Sequence, residues 1–239
     1  MSFWDHVEEL RGTLFRSALS VGLLSVVFLC IPKTLFKLVL WPSQEDFFLY
    51  RLLGWHLQMD LINVEVSAQF FMHLKVSLLC GAVLAFPYII WQIWKFVAPA
   101  LYDSERRAVG KAFGLSSGLF YLGVAVGYCI VLPVCLMFFM NYTVSDAIAN
   151  TITLSSYMSL FVSMVFLIGL LFEFPTVVVV LSSMGLVGRK QLRAFRRYAV
   201  VAVLVLSALI TPSDPFSMFV LAIPLYGLYE LSILLCKEA

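Results

Sequence analysis

Six runs of apolar residues, at positions 14–31, 68–97, 112–140, 154–184, 198–210 and 216–236, constrain this chain more than any other feature. A helix rises 1.5 Å per residue, so about 20 apolar residues cross the roughly 30 Å hydrocarbon core of a bilayer. Of the 239 residues, 62% are hydrophobic and 13% charged, against about 45–50% and about 25% in soluble domains. A soluble fold of this size has no interior large enough for that surface, whereas lipid is itself an apolar solvent. The expected fold is an all-α integral membrane protein, a single polytopic domain over residues 1–239 with six transmembrane helices. The last two are the short ones. Between Arg197 and Pro212 lie 14 residues, roughly 21 Å of helix, and short spans thin the bilayer or snorkel their flanks.

The start of the chain carries Asp5, Glu8 and Glu9 rather than the basic start of a cleavable signal, so the first run is expected to stay as a helix. Pro87 lies inside the second run and is expected to kink it. Basic residues set the orientation. With the N-terminus inside, 12 of the 16 Lys and Arg fall on the inner side, and Lys33, Lys37 and Arg51 on the outer side. The inner set includes Arg11, Arg16, Arg106, Arg107 and five residues between 189 and 197. Both termini are therefore expected in the cytoplasm, with the chain in the cytoplasmic (inner) membrane.

No phosphate-cradling loop and no zinc motif occurs, and no cofactor, metal or nucleic-acid partner is expected. The five cysteines lack CxxC spacing and read as small hydrophobes. Gly114-Leu115-Ser116-Ser117-Gly118 has the form of a nucleophile elbow. That motif needs a strand-to-helix turn, and here it lies in a membrane helix. Packing is the better reading: Gly110, Gly114 and Gly118, and likewise Gly123 and Gly127, recur at the spacing that lets helix backbones approach.

Ionisable groups inside the apolar runs are candidates for function, because burying a charge in lipid is costly. Glu173 is the deepest. Its structural alternative is a carboxylate hydrogen-bonded to a neighbouring helix. Glu230 and Lys75 lie nearer their helix ends, where snorkelling is open to them. Two acidic spots interrupt the basic inner face: Asp5, Glu8 and Glu9, and then Asp103 and Glu105. Locally, Glu8 is placed to pair with Arg11, and Asp103 or Ser104 to cap the third helix. Functionally, two carboxylates suit the bidentate recognition of guanidinium groups.

His6-Val7-Glu8-Glu9-Leu10-Arg11 resembles the HLxELR start of the TatC family, core components of twin-arginine protein translocases. Residues 87–102, from Pro87 through Trp91-Gln92 to Pro99-Ala100-Leu101-Tyr102, are similar to that family's central motif. Ser104-Glu105-Arg106-Arg107, Phe172-Glu173-Phe174-Pro175, Thr211-Pro212-Ser213-Asp214, Ala222-Ile223-Pro224 and Tyr229-Glu230 follow in the family's order. The resemblance covers the whole chain.

It implies a receptor that binds the twin-arginine signal peptide of folded cargo at the cytoplasmic face, with export driven by the proton-motive force. It places signal binding on Glu9 and Glu105, flanked by Arg11 and Arg106. Phe96 and Pro42 match positions where the family is functionally sensitive, and Glu173 matches its intramembrane glutamate. It also implies TatA- and TatB-type single-span partners at the last two helices, with Thr211, Asp214 and Met218 as the docking positions, in a homo- and hetero-oligomer surrounded by lipid. Met218 stands where the family usually has Gln, Val7 where it usually has Leu, and Thr13 where it usually has Arg. The alternatives are a secondary transporter using Glu173 and a purely structural scaffold.

Overall fold

The computed structural model describes residues 3–57, 59–143, 145, 150–211 and 214–236, without the side chains of residues 3, 5, 6, 100, 103–105 and 108. The side chains of Asp5, Asp103, Ser104 and Glu105, and the whole of Pro212, Ser213 and Lys237, therefore lie outside the described residues.

The apolar runs form helices. Five stretches, Val7–Leu29, Ala68–Val97, Val109–Asn141, Leu154–Ser183 and Pro215–Leu235, are long and apolar enough to cross a membrane. Their outward faces are greasy: Leu19, Leu23, Val26 and Val27 of the first are 52–63% exposed. Helix α1 (Phe3–Leu29) runs against α4 (Ala68–Val97). Gly81 makes this approach possible, since a Cβ there would lie 3.0 Å from the Ser25 Cα. Helix α4 continues for 30 residues with Pro87 inside it.

The third stretch is α5 (Asp103–Val126), a wide π turn at Gly127–Val131, and α6 (Leu132–Asn141). Pro133 explains the wide turn: it has no N–H, and its ring would strike a carbonyl of the preceding turn. The fourth is α7 (Leu154–Val162), a second π turn at Ser163–Leu167, α8 (Ile168–Leu171) and α9 (Phe174–Ser183). Pro175, at the start of α9, accounts for the break at Phe172-Glu173 in the same way. The two π turns touch: a Cβ on Gly127 would meet the Met164 carbonyl and lie 3.1 Å from the Val165 Cα. Gly123 is as close, 2.9 Å from the Gly169 Cα. Gly123 and Gly127 thus pack as expected. Gly114 and Gly118 do not, since a Cβ on either meets nothing within 4 Å.

Helix α10 (Arg189–Ala194) leads into α11 (Arg196–Ile210), and α12 (Pro215–Leu235) returns beside it. With 15 residues, α11 spans about 22 Å. Phe216 stacks on Phe138 at 4.0 Å, and Glu230 meets Arg196, so α12 starts beside the end of α6 and finishes beside the start of α11.

The two ends of the bundle differ. One, the capped end, is closed by α2 (Pro32–Leu40), a 3-10 turn at Trp41–Ser43, α3 (Phe48–Leu53) and two short parallel strands pairing Leu61 with Ile152. Three tyrosines hold this cap. Tyr128 donates to the Leu38 carbonyl (2.7 Å), Tyr157 to Val39 (2.7 Å) and Tyr50 to Pro42 (2.8 Å). They add donors to carbonyls at the end of α2 and in the 3-10 turn, where helix ends leave acceptors in excess; the Leu38 carbonyl also accepts from the Trp41 N–H. The buried core reaches from Leu35, Val39 and Phe47 in this cap down to Leu221 and Leu225 of α12. The other, basic end carries the start of α1, the end of α4, the start of α5 and the basic helix α10.

Candidate functional site

The basic end collects the residues that the motifs single out. From the Ser25–Gly81 contact, counting sixteen residues back along α1 reaches Glu9, and sixteen onward along α4 reaches Val97. Both lie about 24 Å from that contact along antiparallel helices. Glu9 and Phe96 therefore share one level. Trp94 packs against Gly110 of α5, its ring 3.2 Å from where a Cβ would stand. Arg106 lies one turn before Gly110, and Glu105 lies in the first turn of α5. The fold thus brings the backbone segments bearing Glu9, Phe96, Glu105 and Arg106 to the same end of the bundle. Helix α5 begins at Asp103, so Asp103 and Ser104 stand in its first turn rather than before it.

Glu9 is half-buried, and one of its carboxylate oxygens is buried with no hydrogen-bond partner among the described residues. Such an acceptor normally finds a donor, because leaving it unpaired costs about 1–3 kcal/mol. Glu8, Arg11 and Arg106 are exposed, and no Glu8–Arg11 ion pair forms among the described residues. The Lys95 ammonium sits 3.5 Å above the Trp91 ring, which holds that cation along α4. Beside it a crevice of about 260 Å³ opens between α4 and α5, lined by Pro87, Ile90, Trp91, Trp94, Gly110, Phe113, Gly114 and Ser117. Gly114 thus lines an open crevice, which explains why no helix packs on it.

Glu173 lies apart from this group, in the middle of the bundle. Ser116, fully buried on α5, donates to its carboxylate at 2.5 Å. The second oxygen is buried without a partner among the described residues. The sequence marks no partner for Glu173; the adjacent hydroxyls of Ser116 and Ser117 inside an apolar run are the available signal. Glu230 has two partners, the Arg196 guanidinium at 2.6 Å and the Tyr226 hydroxyl at 3.0 Å. Lys75 is exposed on α4, two turns from its capped end.

The remaining motif residues have local structural partners. Asp214 caps α12, accepting from the Ser217 N–H at 2.6 Å. Thr211 is buried, and its hydroxyl donates to the Ser207 carbonyl at 3.0 Å. Met218 is half-buried in the first turn of α12. Pro42 is buried, and its carbonyl accepts from Tyr50.

Long apolar helices with lipid-ready faces, joined by polar segments at both ends of the bundle, define a helical integral membrane protein. The family model for the Sec-independent protein translocase protein (TatC) matches residues 5–224. The chain belongs to the TatC family. Similar relatives, both named Sec-independent protein translocase protein TatC, come from Escherichia coli O6:H1 and from Blattabacterium sp. subsp. Periplaneta americana. The first is 34% identical, covering 95% of this chain and 85% of the relative. The second is 32% identical, covering 98% and 94%. Two crystal structures described as the twin arginine translocase receptor TatC share the fold. One has a TM-score of 0.79 at 32% identity, covering 96% of this chain and 97% of that one. The other, in DDM, has a TM-score of 0.82 at 33% identity, covering 97% and 99%. These relatives favour a translocase component over a secondary transporter.

Proposed function

We propose that this chain is the signal-peptide receptor of a twin-arginine protein translocase. The observation that carries the proposal is the Glu9 carboxylate: half-buried, with one oxygen unpartnered among the described residues, on the same end of the bundle as Phe96 and the turn bearing Glu105. A guanidinium offers a planar fork of donors that a carboxylate accepts in pairs, and a Lys ammonium does not. Glu9 and Glu105 together read the Arg pair, and Arg11 and Arg106 flank it. The aromatic crevice between α4 and α5 offers apolar surface to the rest of the peptide.

In this reading the chain is one membrane domain of six spans, with α11 the shortest, and the basic end faces the cytoplasm. The excess of Lys and Arg at that end supports the orientation. Single-span TatA- and TatB-type subunits meet the chain near α11 and α12, close to Thr211, Asp214 and Met218, and the assembly moves folded cargo at the expense of the proton-motive force.

The test is binding of a twin-arginine signal peptide to the detergent-solubilised protein, against the same peptide with Lys-Lys. Losing a charge-assisted pair costs about 1.5–3 kcal/mol, roughly tenfold or more in affinity. The Arg-Arg preference should collapse in both Glu9→Ala and Glu105→Ala. Equal binding of the two peptides to the unaltered protein overturns the proposal.

A further inference from the structure

A second crevice lies at the basic end, walled by residues of α8 to α12 rather than by α4 and α5. It has a volume of about 300 Å³ and runs between α11, α12 and the α8–α9 junction. Its walls are apolar, from Leu171 and Phe174 to Leu225 and Leu228. Along α11 it extends from Tyr198 to Leu206, about 12 Å of the roughly 15 Å depth of one leaflet. Ala199 and Ala202 form its floor on α11, where small side chains leave the space that a Leu would fill. Phe195, Tyr198 and Leu206 are exposed, so the crevice opens outward.

Its mouth is cationic. Residues 189–197 carry five basic side chains and no acid. Arg196 is neutralised by Glu230. Arg197 stands with its guanidinium 5.0 Å from the Tyr198 ring centroid, and Tyr198 lines the crevice. Arg193 is exposed on the helix that contributes Leu192 to the wall. Neither Arg193 nor Arg197 meets a carboxylate among the described residues. An excess of Lys and Arg at a membrane surface is ordinary. An acyl-sized apolar slot whose lining residues Leu192 and Tyr198 stand next in sequence to two guanidinium groups that meet no carboxylate among the described residues is not.

We propose that this crevice binds an anionic phospholipid of the leaflet at the basic end. One acyl chain lies along Ala199, Ala202 and Leu206, and the phosphate meets Arg193 and Arg197. A guanidinium matches phosphate geometry with two parallel hydrogen bonds. The charge at the mouth selects against zwitterionic lipid, and the slot selects against free phosphate. The site is separate from the peptide-binding residues, so it stands whether or not the chain is a signal receptor.

The test uses the full-length protein in neutral detergent, titrated with phosphatidylglycerol or phosphatidylcholine and read by native mass spectrometry, with no peptide present. Phosphatidylglycerol should bind at least about fivefold more tightly, since each basic side chain near an anionic surface contributes on the order of 1 kcal/mol. That preference should vanish in Arg193→Gln/Arg197→Gln and persist in Lys33→Gln/Lys37→Gln, which removes the same charge at the capped end. Ala202→Phe should weaken binding by filling the slot, as should the milder Ala199→Leu if Ala202→Phe does not fold. Glycerol 3-phosphate, which has the headgroup phosphate and no chain, should not compete. Equal binding of the two lipids overturns the proposal. So does a phosphatidylglycerol preference untouched by both slot-filling variants, or competition by glycerol 3-phosphate, because either would reduce the site to a charged surface.

Discussion

The hydroxyl of Ser116 on α5 donates to the carboxylate of Glu173, and this bond joins two membrane-crossing stretches near mid-bundle. The sequence offered two readings of Glu173, a functional acid or a carboxylate held by a neighbouring helix, and it has the neighbour. Ser116→Ala removes the one hydroxyl that bonds this carboxylate among the described residues. Thermal unfolding in detergent should show a loss of about 1 kcal/mol, in the range of polar contacts between membrane helices. The loss should shrink when Glu173 is already Gln in a double-mutant cycle. Full additivity would mean that the bond contributes nothing.

Glycine should matter by position rather than by motif. Gly127→Ala drives a methyl into the backbone of Met164 and Val165, and neither can rotate away. Overpacking of this kind typically destabilises by about 1–3 kcal/mol. Gly114→Ala adds a methyl over an open crevice and raises helix propensity. The same unfolding assay should show a marked loss for the first variant and none for the second.

The capped end has its own alkaline limit. Burial raises the Tyr50 hydroxyl above its ordinary 10.0, because ionisation there would strand a phenolate away from water. A group raised on folding stabilises fully below its unfolded value and loses that contribution as pH climbs past it. Stability should therefore be level up to about pH 10 and decline above it. Tyr50→Phe should flatten the decline, while costing about 1 kcal/mol at neutral pH through the lost bond to Pro42. An identical alkaline profile in the variant would assign the decline to other groups.

The Arg196–Glu230 pair is half-exposed, at 50% and 33% for the two side chains. Screening by water limits such pairs to about 1 kcal/mol or less. Arg196→Gln should thus shift stability only slightly, and the exchange Arg196→Glu/Glu230→Arg should restore most of the shift. A large loss for the single variant would show that Glu230 cannot tolerate standing unpaired beside Tyr226.

Much of this architecture was legible in apolar run length. The runs around residues 14–31, 68–97, 112–140 and 154–184 became helices because lipid and length leave no other way to satisfy the backbone. The region of residues 34–67 was opaque, since its charges and single Pro gave no period. Its order comes instead from distant partners: Tyr128 and Tyr157 reach back from the third and fourth stretches to α2. The glycines show the same limit. Spacing four marked Gly114 and Gly123 alike, and only the helix opposite each one decides which is packed. Glu9 was legible as a motif member, but its unpartnered oxygen is a property of burial that one sequence does not display. Pro42 drew notice through resemblance alone, and its carbonyl bond to Tyr50 supplies a physical reason for its place.

The touching π turns at Gly127–Val131 and Ser163–Leu167 have a consequence for how this protein tolerates change in length. Each turn holds about one residue more than an α-helix would, so everything beyond it is rotated by about 100°. Each far half is thus set by its own turn to present its apolar face, Leu136 on one and Tyr157 on the other, to the shared core. Deleting one residue from either turn alone would swing Leu136 or Tyr157 out of the shared core. Deleting one from each would turn both facing surfaces away from the contact, so that the second deletion adds to the first.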